Sequence, residues 1–168
     1  RAEKLDITLE RLLAEPPALL LAVVVVDNAS TDATRGVLDR HATRSDRLVC
    51  HPSPVNLGGA GGFPPGLRVA GGRFAPDWVV VMDDDARPLP GALAAFHVAA
   101  GEGWDAIAAA VYEPDGAICE MNRPSRNPFW SVPGFANLVS HVLRGRGRDG
   151  FHIPRAAYDA DRPVAIDA

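Results

Sequence analysis

The sequence predicts a doubly wound α/β fold on a mostly parallel sheet, and three observations predict it. Two apolar runs of strand length, residues 19–26 and 78–82, are Val-rich and uninterrupted, as strands buried on both faces are. Each run stops abruptly in polar residues, Asp27-Asn28-Ala29-Ser30-Thr31-Asp32 after the first and Asp83-Asp84-Asp85 after the second. The intervening segments have helical spacing, and alternating strands and helices build parallel sheets.

Taken in order, residues 4–15 place Leu5, Leu9, Leu12 and Leu13 at helical spacing with charges between them, and Pro16 and Pro17 end that helix. Residues 19–26 read as a fully buried strand. Ser30 or Thr31 is expected to cap a helix over roughly 33–41, with Val37 and Leu38 inward. Leu48-Val49-Cys50 is a short strand. Asn56-Leu57-Gly58-Gly59-Ala60-Gly61-Gly62-Phe63 reads as a glycine-rich loop that allows close backbone approach to a ligand and frees N–H groups for phosphate or sugar oxygens. It is not the dinucleotide fingerprint, because Pro64 stands where Gly or Ala is required, and it lacks the Lys-Ser/Thr ending of a P-loop. Residues 67–70 look helical and lead to the strand at 78–82. Pro88 and Pro90 stiffen the exit from the acids, and a helix is expected near 92–100. Residues 106–111 read as a strand, Glu113-Pro114-Asp115-Gly116 as a turn, and 117–121 as the returning arm of a hairpin.

From Asn122 the character changes. Pro124, Pro128 and Pro133, with Asn127, Phe129 and Trp130, suggest a long irregular segment. Arg144, Arg146 and Arg148 alternate with Gly145 and Gly147, reading either as a solvated basic face or as a contact for an anionic acceptor, a lipid phosphate or a membrane surface. His141 and His152 lack partners at metal-ligand spacing and read as surface or loop residues. The chain therefore divides into an α/β part, 1–121, and an irregular part, 122–168.

Composition narrows the classes. At 168 residues, 47% hydrophobic and 23% charged, the chain suits one globular domain with a sizeable core. A net charge of -4 gives no reason to expect nucleic acid as a partner. Two cysteines, Cys50 and Cys119, could form one disulfide but read more simply as thiols of a reduced, cytosolic protein. The longest apolar run, 18–26, is shorter than the ~20 residues a membrane-spanning helix needs, and no signal peptide is recognisable. Arg1 opens within a helical pattern and residues 163–168 look like a strand beginning, so the chain reads as a fragment cut at both ends.

The acids carry the chemistry. Three consecutive carboxylates cannot continue an apolar core, since unpaired buried charge is very costly. The strand must end there, at the carboxyl edge of the sheet, where ligands of open α/β sheets bind. Strand alternation would put Asp83 and Asp85 on one side and Asp84 on the other. Two hard oxygen ligands on one side suit Mg²⁺ or Mn²⁺, which share their remaining positions with substrate phosphates and water. The plainer alternative is a solvated acidic turn, and the buried-type run before it favours the metal.

The three polar stretches, at 27–32, 56–63 and 83–88, stand together in an order and spacing that resembles family 2 glycosyltransferases of the GT-A fold, in particular bacterial rhamnosyl- and galactofuranosyltransferase-like members that build cell-wall and surface polysaccharides. The resemblance covers about residues 1–120 well and the remainder loosely. It implies a Rossmann-like αβα GT-A sandwich, with 1–121 as the part that binds the donor and 122–168 beginning the acceptor side. It implies that Asp27 contacts the nucleotide base, that Asn28 and Asp32 flank that pocket, and that Asn56, Gly58 and Gly59 belong to a loop closing over nucleotide and sugar. Asp83 and Asp85 match the outer acids of the family's metal motif, with Mn²⁺ or Mg²⁺ bridging to the diphosphate, and Asp84 matches a position near the ribose or donor sugar. The implied partners are a UDP- or dTDP-sugar and a saccharide or lipid-linked acceptor, at a cytoplasmic location with peripheral contact at the inner membrane face. An inverting transfer also needs a general base. The family carries it in an acidic motif downstream of where this sequence stops, and neither Asp115 nor Glu120 is favoured for that role. The family's first strand is likewise expected ahead of Arg1.

Other classes fit less well. A haloacid dehalogenase-type phosphotransferase also places Asp-x-Asp after a buried strand, but it expects Thr or Val where Arg87 stands. A nucleotidyltransferase would open with a Gly-rich, Arg/Lys-bearing stretch that is not seen. A non-catalytic nucleotide-sugar binding module is the remaining alternative.

Overall fold

A computed structural model describes residues 1–119 together with Val139, Leu143 and Tyr158. The expectations for Glu120, for the irregular part at 122–168, for His141 and His152, for Arg144, Arg146 and Arg148 and for the closing strand lie outside the described residues. The chain divides into two compact units, Arg1–Gly101 and Glu102–Ala168.

In the first unit, α1 (Ala2–Ala14) buries Leu5, Thr8, Leu9 and Leu12. The apolar residues recur every three or four positions, so they form one stripe. Pro16 follows, and the Arg47 guanidinium donates to Leu13 O in the last turn of the helix and to Leu20 O beyond it. β1 (Val23–Asp27) runs parallel to β2 (Leu48–Pro52), pairing Val23 with Leu48 through Asp27 with Pro52. Between them crosses α2 (Thr34–Ala42). Parallel neighbours require such a crossover, and a helix is its usual form.

Leu5 and Leu9 of α1, Val37 and Leu38 of α2 and Leu48 of β2 form the core cluster, with Val23 and Val25 packed against it. Side chains alternate along a strand, so Val24 and Val26 face away from that cluster. There α4 (Phe63–Phe74) meets β1. A Cβ on Gly66 would lie 3.2 Å from Val26 Cγ2, so a glycine lets α4 settle closely on the sheet. Helices thus cover both faces of a parallel sheet, which is the expected αβα layering. Burying Leu9 alone, at 1% exposure, contributes about 1.5–3 kcal/mol. An exposed ion pair contributes about 0–1 kcal/mol, so the leucine stripe, not the surface charge, holds α1 in place.

Several expectations are corrected. The run at 19–26 is not a fully buried strand: residues 16–20 turn, Leu21 is exposed, and all five residues of β1 are half-buried. Neither Ser30 nor Thr31 caps α2; Asp32 meets its first turn instead. The glycine-rich stretch is helical, with a short α3 (Gly58–Gly61) before α4. Trp78, Val79, Val80 and Val81 form no strand and are each more than two-fifths exposed. A strand exists through its hydrogen-bond ladder, and among the described residues the sheet has only β1 and β2. α5 (Ala92–Ala100) forms where expected, entered through Gly91 at φ 84°.

In the second unit, residues 106–111 form no strand. The hairpin turn does form: Tyr112 bridges Ile118 in antiparallel sense, and Gly116 takes φ 84°. Asp115 Oδ1 accepts from Ala117 N at 2.9 Å inside that turn.

Candidate functional site

The polar residues after β1 and the glycine stretch after β2 meet at the carboxyl ends of the two strands. Asp27 is the last residue of β1. Its Oδ1 accepts from Ser30 N at 2.9 Å, and its backbone O accepts from Ala29 N at 2.9 Å and Ser53 N at 2.8 Å. Ala29 sits at φ 57°, a left-handed conformation uncommon for a residue with a Cβ, so the chain bends sharply here. An open cavity beside this bend is lined by Asp27, Arg35, Leu38, Asp39, Cys50 and Pro52. It lies at the sheet edge where α/β folds bind ligands.

Asn28 joins the two stretches. Its Oδ1 accepts from Leu57 N at 2.8 Å, while its Nδ2 donates to Asn56 Oδ1 at 3.1 Å and Gly58 O at 3.0 Å. Asn56 Oδ1 also accepts from Gly58 N at 2.8 Å. Gly58 takes φ 75°, which suits glycine. At Gly61 a Cβ would collide with the Leu57 Cβ, whereas Gly59 faces open space. The structure therefore brings Asp27, Asn28, Asn56, Gly58 and Gly59 into one local cluster.

Asp32 stands apart from it. Its Oδ1 accepts from Thr34 N at 3.1 Å and its Oδ2 from Ala2 N at 3.2 Å, linking the first turns of α1 and α2. Hydrogen bonds from Thr34, side chain first and then backbone, hold its carboxyl far below the usual range.

The acids after Met82 lie in a turn closed by Ala86 N donating to Asp83 O at 3.1 Å. Asp83 and Asp85 are exposed and Asp84 is half-buried. No hydrogen bond or ion pair among the described residues links this turn to Asp27, Asn28, Asn56 or Gly58. α1 holds it instead. Lys4 Nζ donates to Asp85 Oδ2 at 3.0 Å, Thr8 Oγ1 lies 3.0 Å from Ala86 O, and Arg11 Nη1 makes a long 3.5 Å contact with Pro88 O. The hydrogen bond from Lys4 holds the Asp85 carboxyl below its ordinary value against the opposing cost of desolvation.

Sequence reasoning missed the Lys4, Thr8 and Arg11 contacts. The available signal was their i, i+4, i+7 spacing, a second stripe beside the leucines. It missed Arg35, Asp39 and Pro52 at the cavity as well, for which the sequence carries no comparable pattern.

Among the described residues no three His, Cys, Asp or Glu side chains converge as a metal cage. The donor set nonetheless fits a hard divalent cation, which takes one or two carboxylates and completes its shell with phosphate and water. Asp83 and Asp85 are exposed enough to serve, and Asp85 already attracts a cation, the Lys4 ammonium. Cys50 and Cys119 are free thiols. No helix of the described residues is long and apolar enough to cross a membrane.

A parallel sheet layered between helices, with a polar cluster at the carboxyl ends of its strands, defines a protein of the α/β class. The family model described as glycosyl transferase family 2 matches residues 1–151, and the chain belongs to that family. No curated protein and no solved structure matches the chain significantly.

Proposed function

We propose that this glycosyltransferase chain binds a UDP- or dTDP-sugar at the carboxyl edge of its sheet and serves an inverting, metal-dependent transfer to a saccharide or lipid-linked acceptor. The observation that carries this reading is the Asn28 junction, which gathers residues 28 positions apart in sequence next to Asp27, itself a lining residue of the cavity. Asp27 has one carboxylate oxygen, Oδ2, free of the local turn and is the proposed partner of the base. Asn28 and Asn56 fix the glycine stretch, whose backbone would approach the nucleotide and donor sugar. Asp32 supports this arrangement by bracing α2, and Asp84 is assigned to the ribose or donor sugar.

Asp83 and Asp85 are the proposed holders of Mn²⁺ or Mg²⁺. When bound, the metal would offset the negative charge that develops on the diphosphate leaving group. No general base is assigned to a residue of this chain. The order of the motifs supports a hexosyl transfer of the rhamnosyl or galactofuranosyl kind, in cell-wall or surface polysaccharide synthesis, by a cytoplasmic protein touching the inner membrane face.

Asp85→Asn tests the metal assignment. The substitution keeps the side chain's shape and an acceptor oxygen but removes the charge. Metal-dependent binding of UDP should fall at least tenfold while the circular dichroism spectrum stays unchanged. Unchanged metal-dependent binding in a folded Asp85→Asn chain would remove Asp85 from the site.

A further inference from the structure

α1 presents two stripes about 100° apart, since successive helical residues rotate by that angle. Leu5, Leu9 and Leu12 form one and face the core. Lys4, Thr8 and Arg11 form the other and face the turn at 83–88. Thr8, 2% exposed, lies beneath that turn with its hydroxyl shared between Ala86 O at 3.0 Å and Lys4 O at 3.1 Å, whereas Lys4 and Asp85 are exposed over roughly half of their side-chain surfaces. The turn is thus fixed by a buried hydroxyl, and its cation contact is left at the solvent-facing rim.

That division of labour has a consequence for Asp85. The Lys4 ammonium sits 3.0 Å from one oxygen, Oδ2, of the carboxylate that the proposed cation would share. A cation on Asp85 and an ammonium 3.0 Å from the same carboxylate repel each other. Lysine is a point charge on a flexible four-carbon stem, so Lys4 can swing away at little cost without disturbing the Thr8 anchor. Resting on the metal assignment proposed above, we infer that Lys4 is a resident counter-ion of the acidic turn, binding Asp85 in competition with the divalent metal and releasing it when the metal arrives. Lys4 is a positioning residue in this sense: it pairs with Asp85 while no metal is bound and sets the threshold at which metal enters.

The test counts free Mn²⁺ by electron paramagnetic resonance during titration of the wild-type chain and of Lys4→Met, Lys4→Arg and Asp85→Asn. Circular dichroism first establishes that each is folded. Removing a competing exposed ion pair should tighten Mn²⁺ binding by about two- to fivefold in Lys4→Met, leave Lys4→Arg within error of wild type, and abolish binding in Asp85→Asn. Weaker or unchanged binding in Lys4→Met, with Asp85→Asn still abolishing it, overturns the competition and leaves the metal assignment standing. Mn²⁺ binding that survives Asp85→Asn, or is absent from all four chains, overturns both.

Discussion

Asn28 uses both of its N–H groups and its carbonyl oxygen to join the end of β1 to the start of α3. Each such bond nets about 0.5–1.5 kcal/mol, and bonds sharing one side chain do not add fully. Asn28→Ala should therefore cost about 1–3 kcal/mol in chemical denaturation and weaken UDP binding, because the glycine stretch loses its tether. Asn28→Asp should be no better, since a carboxylate would face Asn56 Oδ1 and Gly58 O with no proton to donate. Wild-type UDP affinity in either variant would show the junction to be irrelevant to the ligand. Asn28, Asn56 and Gly58 were readable as candidates from their motifs. Their mutual hydrogen bonds were not, because contacts between positions 28 residues apart leave no local pattern. Lys4 was hidden for a different reason: a lysine between leucines on an amphipathic helix reads as solvent-facing, and only the fold reveals what it faces.

At the scale of elements, α1 is fastened to α2 through Asp6. His41 Nε2, buried against the helix pair, donates to Asp6 Oδ1 at 2.6 Å, and Arg40 donates to Asp6 Oδ2 at 2.9 Å. A carboxylate only accepts, so the His41 proton sits on Nε2. The His41 hydrogen bond, first, and Arg40 hold the Asp6 carboxyl below its ordinary value, and the carboxyls of Asp32 and Asp85 are lowered as well. A lowered folded-state pKa means that the unfolded chain takes up protons first as pH falls. The stability these groups contribute is present above about pH 4, the ordinary Asp range, and is lost as pH drops through their folded values. The melting temperature followed by circular dichroism should hold from this source down to about pH 4 and then fall. Asp6→Asn should lower the plateau and flatten part of the acid limb; an acid limb identical to wild type would mean that the Asp6 contacts add nothing. Helices were the readable elements, since α1, α2 and α5 follow from spacing and stop signals alone. Strands were less so. Hydrophobicity marked residues 19–26 and 78–82, but a strand is made by its neighbour, and the sequence does not state which neighbour is present.

For the whole molecule, parallel pairing of β1 with β2 around α2, with helices on both faces, followed from strand–helix alternation. The family followed from three motifs in order, each weak alone. The αβα layering could be read because an uninterrupted Val run between helical segments implies a strand covered on both faces, and Val23 and Val25 do pack on one face while Val26 meets Gly66 on the other. The acidic turn's attachment to α1 could not, since it depends on how the first helix returns to a segment some eighty residues later. Binding of a nucleoside diphosphate with a divalent metal at this sheet edge is the proposal on which the rest depends. Calorimetric titration of UDP into the folded chain, with and without Mn²⁺ and with dTDP as comparison, tests it most directly. Binding should be saturable, strengthen at least tenfold with Mn²⁺ and rank one base over the other. A folded chain that binds neither nucleotide in the presence of Mn²⁺ would contradict it.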